Sequence, residues 1–172
     1  MTSADDDEQY AAQAPIMQNA WAFAKAFWID HDMDETWLCT DPLMRRCWVQ
    51  TWLYPLLDQL RADGYDPEEV VEALLQDEPR HELWPIFART QLKGADLPVD
   101  TETWGLKVNP EPIALDVELL HLLPKPASGA IQAGERYATQ PLLMRYEEGE
   151  GWRVLNLVGT VPPTPGWPPT LQ

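Results

Sequence analysis

The chain has 172 residues and a mass of 19.6 kDa, a size that fits one domain around one core. Hydrophobic residues make up 45% and charged residues 23%, the balance of a chain that folds. With 28 acidic against 12 basic residues the net charge is -16, which repels nucleic acid and anionic membranes, so neither is expected as a partner.

The first 14 residues are acidic and aperiodic, and the reading for residues 1–14 is a frayed, solvated arm carrying Asp5, Asp6, Asp7 and Glu8. No basic and apolar leader pattern occurs there, and no stretch approaches the roughly 20 apolar residues of a membrane span. A cytoplasmic location is the default expectation. From Pro15 a helical stripe begins, with Met17, Trp21, Ala24 and Trp28 flanked by Ala20 and Phe27.

Residues 30–41 interrupt that stripe and read as a solvated interhelical loop. The run Asp30-His31-Asp32-Met33-Asp34-Glu35, with Asp41 at the twelfth place, partly imitates a calcium loop. The sixth place holds Glu35 where a sharp turn needs glycine, and the twelfth holds Asp41 where the pattern needs glutamate, so no metal site is assigned. His31 and His81 lack partners at zinc spacing, and Cys39 and Cys47 stand too far apart for a redox pair, so both thiols are taken as buried.

Asp41-Pro42 starts a second helix in which Met44, Trp48, Trp52, Leu56 and Leu60 step by four, with a kink at Pro55 and an end at Gly64. Asp66-Pro67-Glu68-Glu69 caps a third helix through Val70, Val71, Leu74 and Leu75. Beyond Pro79, the apolar residues Leu83, Trp84, Phe87, Ala88 and Leu92 mark a further helical piece that ends before Gly94.

After Gly94 the pattern turns to alternation, with candidate strands over residues 104–108, 113–123, 137–147 and 152–158. Asn109-Pro110, a long loop at 124–135 and the Glu/Gly turn at 147–151 separate them. Helices followed by strands give an α+β fold, with N-terminal helices packed against a curved antiparallel sheet. Residues 15–160 form the domain, and the proline-rich residues 161–172 are an extended strap or a disordered end.

Within Ala114–Pro124 the strand reading puts Leu115, Val117, Leu119 and His121 on one face and Asp116 and Glu118 on the other. The two carboxylates then face solvent or pair with the cross-strand Arg145. His121, on the leucine face, is either a hydrogen-bonded core residue or a base in a pocket.

The order of these pieces, above all WGLKVNPEPIALDVELLHLLP followed by ERYATQPLLMRYEEGEGWRVLNLVG, resembles the nuclear transport factor 2-like superfamily of cystatin-like α+β cones. The closing EEGEGWRVLNL is similar to the final hairpin of its SnoaL-like members. The resemblance spans residues 15–160 and implies a curved sheet wrapped around helices, an apolar pocket at the mouth of the cone, and a homodimer. It transfers no catalytic residue and no cofactor.

The expected function is therefore a non-catalytic module for a small apolar ligand or a protein partner, with Trp48, Trp52, Trp104, His121, Tyr137 and Tyr146 as candidate ligand contacts. One alternative is an isomerase, dehydratase or cyclase with His121 as base and Tyr137 or Tyr146 holding a developing oxyanion. Another is an acidic module that docks a basic protein through the clusters at 5–8, 66–72 and 147–150.

Overall fold

The computed structural model describes residues 4–95, 104–124 and 139–171, with the backbone alone for residues 4–12, 104, 105 and 124. Among the described residues come helices α1 (Ala4–Ala24), α2 (Met33–Leu38), α3 (Pro42–Leu53), α4 (Leu57–Ala62), α5 (Pro67–Leu74) and α6 (Trp84–Leu92). Strands β1 (Trp104–Val108), β2 (Val117–Pro124), β3 (Gln140–Glu147) and β4 (Gly151–Asn156) follow. They form one antiparallel sheet in the order β1-β2-β3-β4. The fold is α+β.

Helix α1 begins at Ala4, so residues 5–14 are helical where the sequence reading has a frayed arm, and Pro15 lies inside the helix. Acidic residues in a first turn sit at the positive end of the helix dipole, which favours winding through them. The buried stripe is Ile16, Ala20, Phe23 and Phe27 rather than one through Trp21, which is partly exposed. After Ala24 the chain winds as a π-helix over Lys25–Asp30. The wider turn shifts the buried face by a residue, so Phe27 and Trp28 both reach the core.

Residues 33–38 are helix rather than loop. Asp32 caps α2 by accepting the N–H groups of Asp34 and Glu35, each at 3.1 Å, and this local satisfaction of free donors makes a short helix viable. Asp41 caps α3 with Pro42 at its first position, and Asp66 caps α5 in the same way. Pro55 does more than kink the second helix. It turns Tyr54–Leu56 into a 3-10 segment between α3 and α4, which leaves Leu56 partly exposed instead of in the stripe.

The helical layer encloses an aromatic core centred on the fully buried Trp37. Its ring lies 5.2 Å from Trp84, 5.4 Å from Phe87 and 6.1 Å from Trp48, and its indole N–H donates to the Leu74 carbonyl at 3.1 Å. A buried indole needs such an acceptor, and the end of α5 provides it. Leu120, Leu122, Leu142, Met144 and Val154 continue this core from the sheet.

Strand β2 starts at Val117, later than residue 113, because Ile113 and Ala114 bond back to Val117 in a turn. Both of its faces are apolar. Leu120 and Leu122 meet the helices, while Val117 and Leu119 join Leu143, Leu155 and Leu43 on the reverse side. The late leucines are thus the inward row of a two-sided strand and not a bulge; the bulge lies between β3 and β4, where Leu143 pairs with Asn156 and Met144 with Val154.

Asp116 is exposed, as expected, and precedes the strand, its carbonyl accepting the Tyr146 N–H at 2.8 Å, while Glu118 shares a face with Leu120 and is half-buried. The outer edge of β4 is capped by the chain between α2 and α3. The Asp41 N–H donates to the Val154 carbonyl and the Val154 N–H to the Cys39 carbonyl, both at 2.9 Å. Residues 161–171 form a strap rather than a loose end, folded back so that Trp167 and Leu171 pack on the main core.

Candidate functional site

The start of α3 holds the polar centre of the molecule. Asp41, 1% exposed, accepts the Leu43 N–H at 2.8 Å as a helix cap and also receives a two-pronged pair from Arg145, at 2.8 and 2.7 Å. Arg145 therefore answers to the helix cap and not to Asp116 or Glu118. A buried carboxylate with three donors is well satisfied, and this one ties α3 to β3.

One turn later Arg45 is 2% exposed. Its Nε donates to the Thr40 carbonyl at 3.0 Å, and its Nη1 donates to the Leu75 carbonyl at 3.1 Å and to Asp77 at 2.7 Å. The guanidinium lies 5.4 Å from the centre of the Trp37 ring. Burial lowers the Arg45 pKa, opposed by the bond and charge of Asp77. In turn the Arg45 hydrogen bond holds the Asp77 carboxyl below its ordinary range.

Asp77 carries this buried anchor to the surface, where it separates two open clefts. One, of about 690 Å³, is lined by Ala73, Gln76, Asp77, Glu78, Arg80 and His81. The other, of about 430 Å³, adds Asp34, Glu35, Leu38, Pro79 and the edge of Trp84. Trp84 is fixed there because its indole N–H donates to Asp34 at 2.9 Å. The second cleft presents four carboxylates against the guanidinium of Arg80 in its lining and that of Arg45 behind Asp77, a formal charge of -2. Its apolar floor and charged rim suit a cationic side chain with a long aliphatic stem.

The residues singled out from the sequence do not converge. Trp48 is buried, with its ring 5.4 Å from Phe27 and its N–H bonded to Gln91 at 2.7 Å, and Trp52 packs on Phe87 beside it. His121 is half-buried on the reverse face of the sheet, opposite Lys107 and Pro141, with Nδ1 3.3 Å from the Thr139 hydroxyl. Tyr146 stacks near Trp152 at 5.5 Å. It lies five residues along β3 from the partner of His121, about 17 Å away and on the opposite face. The backbone of Trp104 pairs with Pro124 in β1. The Trp104 side chain, Tyr137 and most of the 124–135 loop lie outside the described residues.

No pattern in the sequence singles out Asp77, Glu78 or Arg45, whereas Asp34 is met there only as part of the calcium-like run. A signal did exist in Asp77-Glu78-Pro79-Arg80-His81, a charged, proline-broken link between two helices. The acids of the calcium-like run instead serve as cap and indole acceptor, and among the described residues no group of three or more His, Cys, Asp or Glu is placed to hold a metal. Nor is any described helix long and apolar enough to cross a membrane. No family model, curated protein or solved structure matches the chain.

Proposed function

We propose that the protein is a non-catalytic binding module that docks a basic segment of a protein partner in the acidic clefts on either side of Asp77, built on the nuclear transport factor 2-like α+β plan. The observation that carries this reading is the net negative charge, -2 with Arg45 and Arg80 both counted, gathered over an apolar floor in the cleft between α2 and residues 77–84. Helices followed by a four-stranded antiparallel meander with a closing Glu/Gly hairpin support the architectural part. An apolar-ligand role for Trp48 has less support, because Phe27, Trp37 and Phe87 surround its ring. The catalytic alternative loses the pairing of His121 with Tyr146, which face away from each other.

A lysine- and arginine-rich peptide titrated against the protein, with binding followed by calorimetry, tests the reading. Binding is expected to weaken several-fold between 50 and 200 mM salt on the order set by charge screening. Glu35→Gln with Glu78→Gln is expected to weaken it about 10-fold, as two exposed charges together supply about 1.4 kcal/mol. Salt-independent binding, or binding untouched by the double variant, overturns the proposal.

A further inference from the structure

Residues 161–171, VPPTPGWPPTL, include five prolines and so lack the N–H groups needed to join a sheet. Side chains of the domain hold them instead. Gln50 on α3, 3% exposed, accepts the Gly166 N–H at 3.0 Å, and Glu68 on α5 accepts the indole N–H of Trp167. Asn156, fully buried at the end of β4, donates through Nδ2 to the carbonyls of both Val161 and Leu171 at 2.8 Å. One amide thus grips both ends of the strap.

The segment also closes on itself. Thr164 and Thr170 exchange backbone bonds of 2.7 and 2.8 Å, so the loop between them carries its own shape. A Cβ at Gly166 would stand 3.1 Å from the Pro168 carbonyl oxygen, a tight approach that glycine at the tip avoids. Trp167 and Leu171, half-buried, pack against the core, and an open cleft of about 330 Å³ remains between Thr51, Val158 and residues 169–171. A self-closed loop read through a glycine amide, an indole N–H and two carbonyls has the character of a preorganised peptide ligand.

We propose that the groove formed by α3, α5 and the end of β4 is a recognition site for a Pro-Gly-Trp-Pro-Pro segment. The chain's own residues 161–171 fill it in cis, and the same segment of a second copy can fill it in trans. Exchange between copies links them through a contact each already makes internally. In the intact chain the tether favours the cis segment through its high effective concentration.

The test inserts a protease site between Gly159 and Thr160 of the full chain. After cutting, the domain is expected to stay folded, to release the fragment on dilution and to take up a labelled peptide of residues 160–172. The uncut chain is expected to take up at least about 100-fold less at equal concentration. A peptide with Gly166→Ala is expected to bind about 10-fold more weakly to the unaltered cut domain, and Gln50→Ala to weaken uptake by a similar factor. Unfolding on cutting overturns the proposal, because it makes the strap a part of the core. Equal uptake of a scrambled peptide of the same composition overturns it as well.

Discussion

Replacing Asp41 separates the two jobs that its carboxylate performs. In Asp41→Ala, α3 loses its cap, about 1 kcal/mol, and Arg145 loses two charge-assisted bonds. Arg145 keeps 30% of its side chain in contact with solvent, so water recovers part of that loss and the pair contributes about 1–2 kcal/mol rather than the 3–5 of a sealed ion pair. The expected cost is about 2–3 kcal/mol. Asp41→Ser keeps a good cap and is expected to cost about 1–2 kcal/mol, the share of the pair alone. Urea unfolding of Asp41→Ser, Arg145→Met and the double variant gives the coupling directly, expected at about 1–2 kcal/mol. A coupling under about 0.5 kcal/mol, or equal losses for Ser and Ala, would refute this division of labour.

Trp37, Cys47 and Asp77 each give a further measurable outcome. Trp37→Ala removes the indole at the centre of the aromatic core and is expected to cost about 3–5 kcal/mol by denaturant unfolding, near the limit for a domain with about 5–15 to lose. Burial pushes the Cys47 thiol up to about 11, so the unfolded chain ionises first; stability is full below about pH 9, falls toward pH 11, and Cys47→Ala is expected to flatten that alkaline decline. Slow alkylation of Cys47 at neutral pH checks the same burial. The Asp77 carboxyl is depressed, so its contribution is present above the ordinary carboxyl range and is lost as pH falls through the folded value. Acid unfolding curves of Asp77→Asn are expected to be shallower below about pH 4, by a small amount because Asp77 is 62% exposed.

What could be read in the sequence was local chemistry. Asp-Pro pairs at 41–42 and 66–67 announced α3 and α5 because a cap and a proline satisfy the same first turn that the structure builds. The Glu/Gly turn announced the β3–β4 hairpin, where Gly149 and Gly151 take φ of 86° and 81°. Alternation failed where burial has two sides: β2 has leucines on both faces, so His121 and Glu118 could not be assigned an environment by counting residues. Long-range partners were beyond reach for the same reason. Asp41 and Arg145 lie 104 positions apart, and Arg45 gave no sign that it, rather than Arg46, turns inward. The second cleft forms where α2 meets the link between α5 and α6, so its residues share no spacing along the sequence.

The placement of the few basic residues explains how so acidic a chain stays compact and still offers an acidic surface. Lys25, Arg45, Arg46, Arg61, Arg80, Arg145 and Arg153 each sit in an ion pair with a carboxylate of the same molecule. At least seven of the 12 basic side chains are thus engaged internally, and two of them, Arg45 and Arg145, fasten the start of α3 to Asp77 and to the sheet. Of the 28 acidic residues, the partners of these seven account for only a minority, so the outward field is governed by the remainder. A cationic segment approaching the Asp77 clefts competes chiefly with Arg80, whose side chain is 89% exposed and whose contact with Glu78 is 3.8 Å long. Such an exposed pair holds its members weakly, so Arg80 can swing aside at little cost while the buried Arg45 keeps Asp77 in position. The same logic gives Arg80→Ala a direction: removing the competitor makes the cleft more negative, and tighter binding of a basic peptide is the expected result, with weaker binding counting against the site.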